Sequence, residues 1–397
     1  MLGKLFGYVR AKLTRVKKNM WMFCSFEGQY SDNPRYISEK LHEIAPGIEA
    51  VWLVKRELLP RLPDYVRGVD IDSPEAARVR ASAEVIVDNV YGGKAYSRYG
   101  EGAAARAKAG LFNWLTSKRG QHTYTTWHGT PLKRIGRHQI GNDIKDFFCP
   151  DTTMILGNRY TLDIMREVTF GKLQMELMGT PRNDILCKEG DREALKKRLG
   201  LPAQRRILLY APTFRNDGKD TEGKNLQRSG IDQLAALDMD RLFATLEKKF
   251  GGEWTMICRF HYHVAEAVDW EALERSYPGK FINGNTGGDM AEYLACTDLL
   301  ITDASSCMFD FALTGRPCLL YFPDLENYRG RERGFYVEVE QLPFPVAVDG
   351  DALIEAIESF DGERYAVGVK EMLDRMGFVD SEDSSERIVR YILSERK

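Results

Sequence analysis

From Trp21 onward, short apolar runs alternate with stretches of helical spacing. "WMFCSF" (21–26), "EAVWLV" (49–54), "EVIVDN" (84–89) and "HTYTTWH" (122–128) are rich in β-branched and aromatic residues and predict strands. Between them, "RYISEKLHEI" repeats apolar residues at helical spacing after Pro34, and "SPEAARVRASA" offers Ser73 as N-cap with Pro74 in the first turn. The second half follows the same alternation, and "RILLYAPTFR" (206–215), "WTMICRFH" (254–261), "DLLITDASS" (298–306) and "RPCLLYF" (316–322) read as buried strands. Helices such as "MDRLFATLEKKFG" separate them. Strands alternating with helices predict parallel sheets covered on both faces.

The charged stretch 183–205 contains one helical pattern and reads as a linker, and no internal repeat is present. The expected architecture is α/β, with two doubly wound, Rossmann-like domains facing across a cleft. One spans 20–182 and the other 206–397. The last segment, "SEDSSERIVRYILSERK", places acids early and bases late, as a helix dipole prefers, and is free to pack back on the first domain.

Two segments stand outside this rhythm. Residues 1–19 hold Lys4, Arg10, Lys12, Arg15, Lys17 and Lys18 and no acid, with Leu2, Leu5, Phe6, Val9, Leu13 and Val16 in one helical stripe. A basic amphipathic helix of this kind is expected to lie on an anionic membrane surface. An ordinary helix docked on its own domain accounts for the same stripe. Residues 92–120 are rich in Ala, Gly and basic residues around "LFNWL" and read as an insertion: a second membrane contact, a lid, or a packed surface helix.

Composition adds bounds. At 397 residues the chain fits two domains, and a net charge of −2 at 29% charged residues is that of a globular protein, with no expectation of a nucleic-acid partner. The seven cysteines are scattered without a C-x-x-C pair, several inside apolar runs, so they read as buried thiols in a reducing compartment. No apolar stretch approaches the ~18 residues of a spanning helix, and no signal-peptide core follows the N-terminal charges. The expectation is a protein that stays inside the cell.

Candidate chemistry gathers at strand ends, where open parallel sheets bind ligands. His128 follows "TYTTW", Thr213 and Arg215 follow "RILLYAP", and Arg259, His261 and His263 end "WTMIC". Thr302, Asp303, Ser305 and Ser306 follow "DLLI", where a helix starting near Ser306 would offer free N–H groups and hydroxyls to a phosphate. Asp310 lies one turn on, placed for ribose hydroxyls; simple capping by one serine is the other reading. There is no P-loop. "GNTGGD" (284–289) reads as a loop without a preceding strand or a clear following helix. "DMD" (238–240) resembles a metal pair but suits helix capping, and His261 and His263 lack a third ligand nearby in sequence.

"YSDNPRYISEKL", "TTWHGTPLKRIG", "GTPRND", "LLYAPTFR", "RFH" and "ITDASSCMFDFA" resemble, in order and spacing, the CDP-glycerol glycerophosphotransferases of bacterial wall teichoic acid synthesis, over roughly 20–393. The resemblance implies a GT-B fold, with acceptor half first and CDP-binding half second. It also implies peripheral attachment to the cytoplasmic face of the membrane, and transfer of glycerol phosphate from CDP-glycerol to an undecaprenyl-diphosphate-type lipid-linked acceptor. Carried over by position, the essential histidines are His128 and His261. The CDP-glycerol contacts fall on Trp127, Gly129, Thr130, Pro131, Arg182, Pro212, Thr213, Arg259, Phe260, Ser305, Ser306 and Asp310. No tightly bound metal is implied, only a loosely held divalent cation at most. His128 would serve as general base. The chain departs from the pattern in the 92–120 segment and in lacking the long N-terminal region of many polymerases, which resembles the single-addition primases. Glycerol and ribitol donors both remain open. A GT-B glycosyltransferase using a nucleotide-activated sugar, and a non-catalytic binding protein on the same fold, are the competing classes.

Overall fold

Two parallel sheets organise the chain. The computed structural model describes residues 13–26, 28–90, 119–139, 152–169, 171, 173–188, 190–213, 233–260, 268–331 and 334–396. Sheet one contains β1 (Lys17–Cys24), β2 (Glu49–Val54), β3 (Arg67–Asp70), β4 (Ala83–Asp88), β5 (His122–Thr125), β6 (Thr152–Leu156) and β7 (Gln174–Leu177), in the order β3-β2-β1-β4-β5-β6-β7. Sheet two contains β8 (Arg206–Ala211), β9 (Trp254–Cys258), β10 (Phe281–Asn283), β11 (Leu299–Thr302), β12 (Cys318–Tyr321) and β13 (Val346–Ala347), in the order β10-β9-β8-β11-β12-β13. Every strand pairing described within these two sheets is parallel. In each sheet the chain winds outward from its first strand, then returns to that strand's other side. The switch points are therefore β1/β4 and β8/β11, and both sheets are doubly wound.

The chain divides into two compact units: 1–128, 142–184 and 377–397 form unit one, and 129–141 with 185–376 form unit two. In unit one, Phe23 and Trp52 stack at 5.5 Å on the sheet. The indole N–H of Trp52 donates to Ser38 Oγ at 2.9 Å, fixing the helix Asp32–Ile44 across that face. Ile388, Val389 and Ile392 of the last helix, Ser384–Ser394, complete the same core. Each such fully buried side chain contributes roughly 1.5–3 kcal/mol. In unit two, Tyr210, Leu242, Phe243, Leu246 and Trp254 form the corresponding core. Helix starts follow the local chemistry. Ser73 accepts from the Ala76 N–H at 3.2 Å, and Asp238 of "DMD" caps its helix by accepting from Arg241 N–H at 3.0 Å.

Several expectations change. Lys17 to Asn19, expected to end the basic helix, instead open β1. The Asn19 N–H is held by the Glu84 carboxylate at 2.8 Å, which also pairs with Arg396. Strand pairing satisfies this backbone where a helix would leave the edge of β4 open. Residues 1–12, residues 92–118 of the insertion, Arg215, His261 and His263 lie outside the described residues.

The stretch 183–205 is not a free linker. Its helix Arg192–Arg198 is tied within unit two by Arg192–Asp298 and Arg198–Glu292 ion pairs at 2.9 and 2.7 Å. Residues 129–141 join unit two through Tyr336 N–H to Leu132 O (2.9 Å) and Arg134 N–H to Gly334 O (3.1 Å). "GNTGGD" does follow a strand, β10, and precedes the helix Met290–Cys296, capped reciprocally by Asp289 and Glu292. β10 is too short for its period to be visible in sequence.

Gly179 of "GTPRND" explains one motif position. Its φ is +91°, and a Cβ there would stand 2.8 Å from Cβ of Ser384, the first residue of the last helix. Gly179→Ala combines backbone strain with overpacking, roughly 1–3 kcal/mol each. Urea denaturation is expected to show a loss of about 3 kcal/mol; a loss within about 0.5 kcal/mol would show that the last helix yields freely.

Candidate active site

Residues just beyond β1, β4 and β5 meet around His128. β4 and β5 pair with Asp88 opposite Thr125, so Asn89 and His128 leave the same end of the sheet. His128 Nδ1 lies 3.0 Å from the Asn89 carbonyl. A carbonyl only accepts, so Nδ1 carries the proton and Nε2 presents its lone pair. The ring is half-buried. Burial pushes its pKa below the ordinary 6.5, with the Asn89 carbonyl and Asp32 pulling the other way and Arg182 adding to the fall. A neutral imidazole with a free Nε2 is a proton acceptor at neutral pH.

Behind this ring lies a buried polar lattice. Asn33, 1% exposed, donates from Nδ2 to the Trp127 carbonyl and accepts on Oδ1 from the Arg182 N–H, both at 3.1 Å. One side chain thus joins the "WHGTP" turn to "GTPRN". Arg182 Nη1 pairs with both Asp32 oxygens at 3.1 Å, and both residues are buried. Such a pair is costly to break on one side, because it leaves the other charge uncompensated. Phe26, Asp32 and Trp127 have φ of 45°, 60° and 54°; among the described residues only Asn19 joins them as a non-glycine in this region. Left-handed backbone at non-glycine residues costs of order 1–3 kcal/mol each and gathers at functional sites.

The second cluster stands at the carboxyl ends of β8 and β11. Thr302 Oγ1 donates to the Ala211 carbonyl at 2.6 Å, and Asp303 Oδ1 accepts from the Thr213 N–H at 2.8 Å. These bonds hold Pro212 and Thr213 beside the turn carrying Ser305 and Ser306. The helix after it, Cys307–Ala312, is a short one. Ser305 Oγ accepts weakly from Cys307 N–H at 3.4 Å, whereas Ser306, at the N-cap position, makes no side-chain cap bond and is half-buried. Asp310 is buried.

Beyond β9, Arg259 Nη1 donates to the Gly284 and Gly288 carbonyls at 2.6 and 3.2 Å and its guanidinium lies over Tyr293. Phe260 turns its ring into the core, and Asn285 brackets its backbone by accepting from its N–H at 3.0 Å and donating to its carbonyl. Phe260 thus has its backbone at this edge and its ring in the core. Gly129 (φ +150°), Thr130 and Pro131 are grouped with unit two, apart from Trp127 and His128. Among the described residues, no group of three or more His, Cys, Asp or Glu is arranged to hold a metal ion. Burial pushes the Cys24 and Cys307 thiols up to about 11, so they are unreactive at neutral pH.

Residues 7–394 match the family described as CDP-Glycerol:Poly(glycerophosphate) glycerophosphotransferase. The chain belongs to this family. The teichoic acid poly(glycerol phosphate) polymerase of Bacillus subtilis (strain 168) is 30% identical over 97% of the chain and 50% of its own length. The chain therefore spans about half the length of that polymerase. The teichoic acid glycerol-phosphate transferase of Staphylococcus aureus (strain NCTC 8325 / PS 47) is 28% identical over 87% of the chain and 84% of its own length. Among solved structures, the wall teichoic acid polymerase TagF, as a variant soaked with CDPG, superposes with a TM-score of 0.77 at 26% identity, covering 98% of this chain and 93% of that one. With two Rossmann-like units, this member of the glycerophosphotransferase family has a GT-B-like fold.

Asp32, Asn33 and Asn89 were not singled out by sequence. Asn33 and Asp32 lie inside "YSDNPR", and Asn89 ends "EVIVDN". The available signal was position: each polar residue directly follows, or packs beneath, a strand end. Nitrogen-detected NMR at pH 7 is expected to show His128 neutral, with the proton on Nδ1 and a midpoint below 6.5. A midpoint above that value would contradict the burial assigned to the ring. Asn33→Ala leaves the Trp127 carbonyl and Arg182 N–H without this partner and is expected to cost about 2 kcal/mol in chemical denaturation.

Proposed function

We propose that the chain transfers glycerol phosphate from CDP-glycerol to a hydroxyl of a lipid-linked acceptor in the synthesis of teichoic acid or a related cell-surface polymer, with release of CMP. The observation that carries this reading is the imidazole of His128, neutral and with Nε2 left free by the Asn89 carbonyl. The acceptor oxygen attacks the β-phosphorus, its proton passes to Nε2, and the bond from that phosphorus to the CMP oxygen breaks. General base assistance of this kind is worth ~10²–10⁴ in rate.

The nucleotide belongs to the carboxyl edge of sheet two, on Pro212, Thr213, Arg259, Ser305 and Ser306. The side chain of Ser306, not engaged in capping, supports this assignment. Arg182 and Arg259 act through the structures they hold, since their guanidinium groups bind Asp32 and the Gly284–Gly288 carbonyls. His261 is assigned with His128 by the "RFH" motif, as the group facing the departing phosphate. Single addition is favoured over long-chain polymerisation in this reading. No tightly held metal takes part in this reading; any divalent cation exchanges freely. The setting proposed is the cytoplasmic face of the cell membrane, with attachment through the basic N-terminal segment.

Mass spectrometry of reactions with CDP-glycerol, CDP-ribitol and a short lipid acceptor is expected to find a glycerol phosphodiester and CMP. A glycosidic product from a nucleotide-sugar, with no phosphodiester, would reject the reading. His128→Ala and His261→Ala are each expected to lose at least ~100-fold in transfer while remaining folded, and His263→Ala much less. Near-normal turnover of the His128 variant would remove the base.

For the membrane assignment, truncation must stop ahead of β1. Removing residues 1–12 is expected to weaken sedimentation with anionic vesicles, by up to ~1 kcal/mol per basic residue at low salt, and to leave transfer to a soluble acceptor unchanged. Unchanged sedimentation would place the segment on its own domain.

A further inference from the structure

Phe26 is the second residue beyond β1, at the switch point of sheet one, and its conformation is unfavourable twice over. Its φ of 45° is left-handed, which costs a bulky side chain of order 1–3 kcal/mol. The residue is also 43% exposed, so hydrophobic burial returns only part of that cost. The arrangement is nonetheless built. Asn89 Oδ1 accepts from the Phe26 N–H at 2.9 Å, and Asn89 Nδ2 donates to Ser25 Oγ at 3.1 Å. The carbonyl of this same Asn89 orients His128. One residue therefore fixes both the general base and the aromatic ring beside it. The Phe26 and His128 ring centres are 5.8 Å apart, edge-on at 61°.

We propose that Phe26 is a specificity-determining contact for the acceptor, its ring carrying the C–H face of the polyol whose hydroxyl His128 deprotonates. The proposal rests on the transferase reading above. A hydroxyl bonded to an imidazole nitrogen lies about 3 Å from it, which brings its carbon chain within van der Waals reach of a ring 5.8 Å from the imidazole centre. An exposed hydrocarbon ring has nothing to offer a hydrated diphosphate, whose desolvation it would only penalise, whereas C–H groups of a glycerol or sugar unit pack on it. Position agrees: the β1/β4 switch point is where a doubly wound sheet receives its ligand. The strain is thus assigned to holding the ring out over the acceptor path.

The test uses the full chain with CDP-glycerol and the same short lipid acceptor. Phe26→Ala is expected to raise the acceptor KM about tenfold, with the CDP-glycerol KM within about twofold, and Phe26→Trp to restore the acceptor KM. Phe26→Gly separates substrate contact from fold support, because glycine adopts φ 45° without strain. It is expected to raise the acceptor KM as alanine does while Tm stays level or rises. Acceptor KM unchanged in both variants, or Tm falling in the glycine variant with kinetics intact, would overturn the proposal and make the ring a packing element. Failure of the wild-type chain to transfer glycerol phosphate to this acceptor would instead refute the transferase reading, and the Phe26 proposal with it.

Discussion

The parallel pairing of β1 with β4 is the constraint on which unit one depends. Cys24 lies opposite Asp88 in that ladder, so the chain leaves both strands at the same level. Ser25, Phe26 and Asn89 become neighbours by register alone, and the β4/β5 pairing then delivers His128 to the same edge. A slip of one residue would turn each of these side chains to the opposite face of the sheet. The corresponding pairing in unit two sets Thr302 opposite Ala211, which lets Asp303 reach the Thr213 N–H. In both units the polar residues are positioned by hydrogen-bonded strands whose central residues are fully buried.

Charge beneath the His128 turn is handled by pairing and not by solvent. Asp32 and Arg182 neutralise each other beneath the His128 turn, and Asn33 converts the same region into a continuous hydrogen-bonded lattice. A buried pair of this type contributes little net stability, but its geometry is specific because neither partner tolerates loss of the other. The consequence for His128 is a competition in which burial outweighs the pull of Asp32. That balance keeps the imidazole neutral, the state in which the proposed chemistry uses it. The left-handed backbone at Asp32 and Trp127 is what bends these segments close enough to share Asn33.

The relation of motif to role differs from block to block of this sequence. Trp127 and His128 serve unit one, whereas the Gly-Thr-Pro that follows them is already part of unit two. "GTPRND" contributes Arg182 to the polar lattice, but its glycine serves the docking of the last helix. "RFH" places Phe260 in the core and leaves its backbone to Asn285. A motif therefore mixes positions at a strand end with positions that support the fold, and only the contacts separate them.

By itself the sequence determined the alternation of strands and helices and hence two doubly wound sheets, because buried parallel strands must be continuous apolar runs and helix starts must be capped. β2 and the Ser73-capped helix start were legible to the residue. It also placed His128, Thr213, Ser305 and Ser306 at strand ends. Short strands such as β3, β7, β10 and β13 were not legible, since a few residues show no period and their neighbours in the sheet supply the pairing. Only the tertiary structure decided that Lys17 to Asn19 extend β1, that 183–205 packs within unit two, and that residues 377–397 return to unit one. It alone joined Asp32, Asn33, Asn89 and Phe26 to His128. The contacts of this cluster span up to 150 positions, as in the Asp32–Arg182 pair beneath the His128 turn, and local propensity carries no information about partners so far apart along the chain.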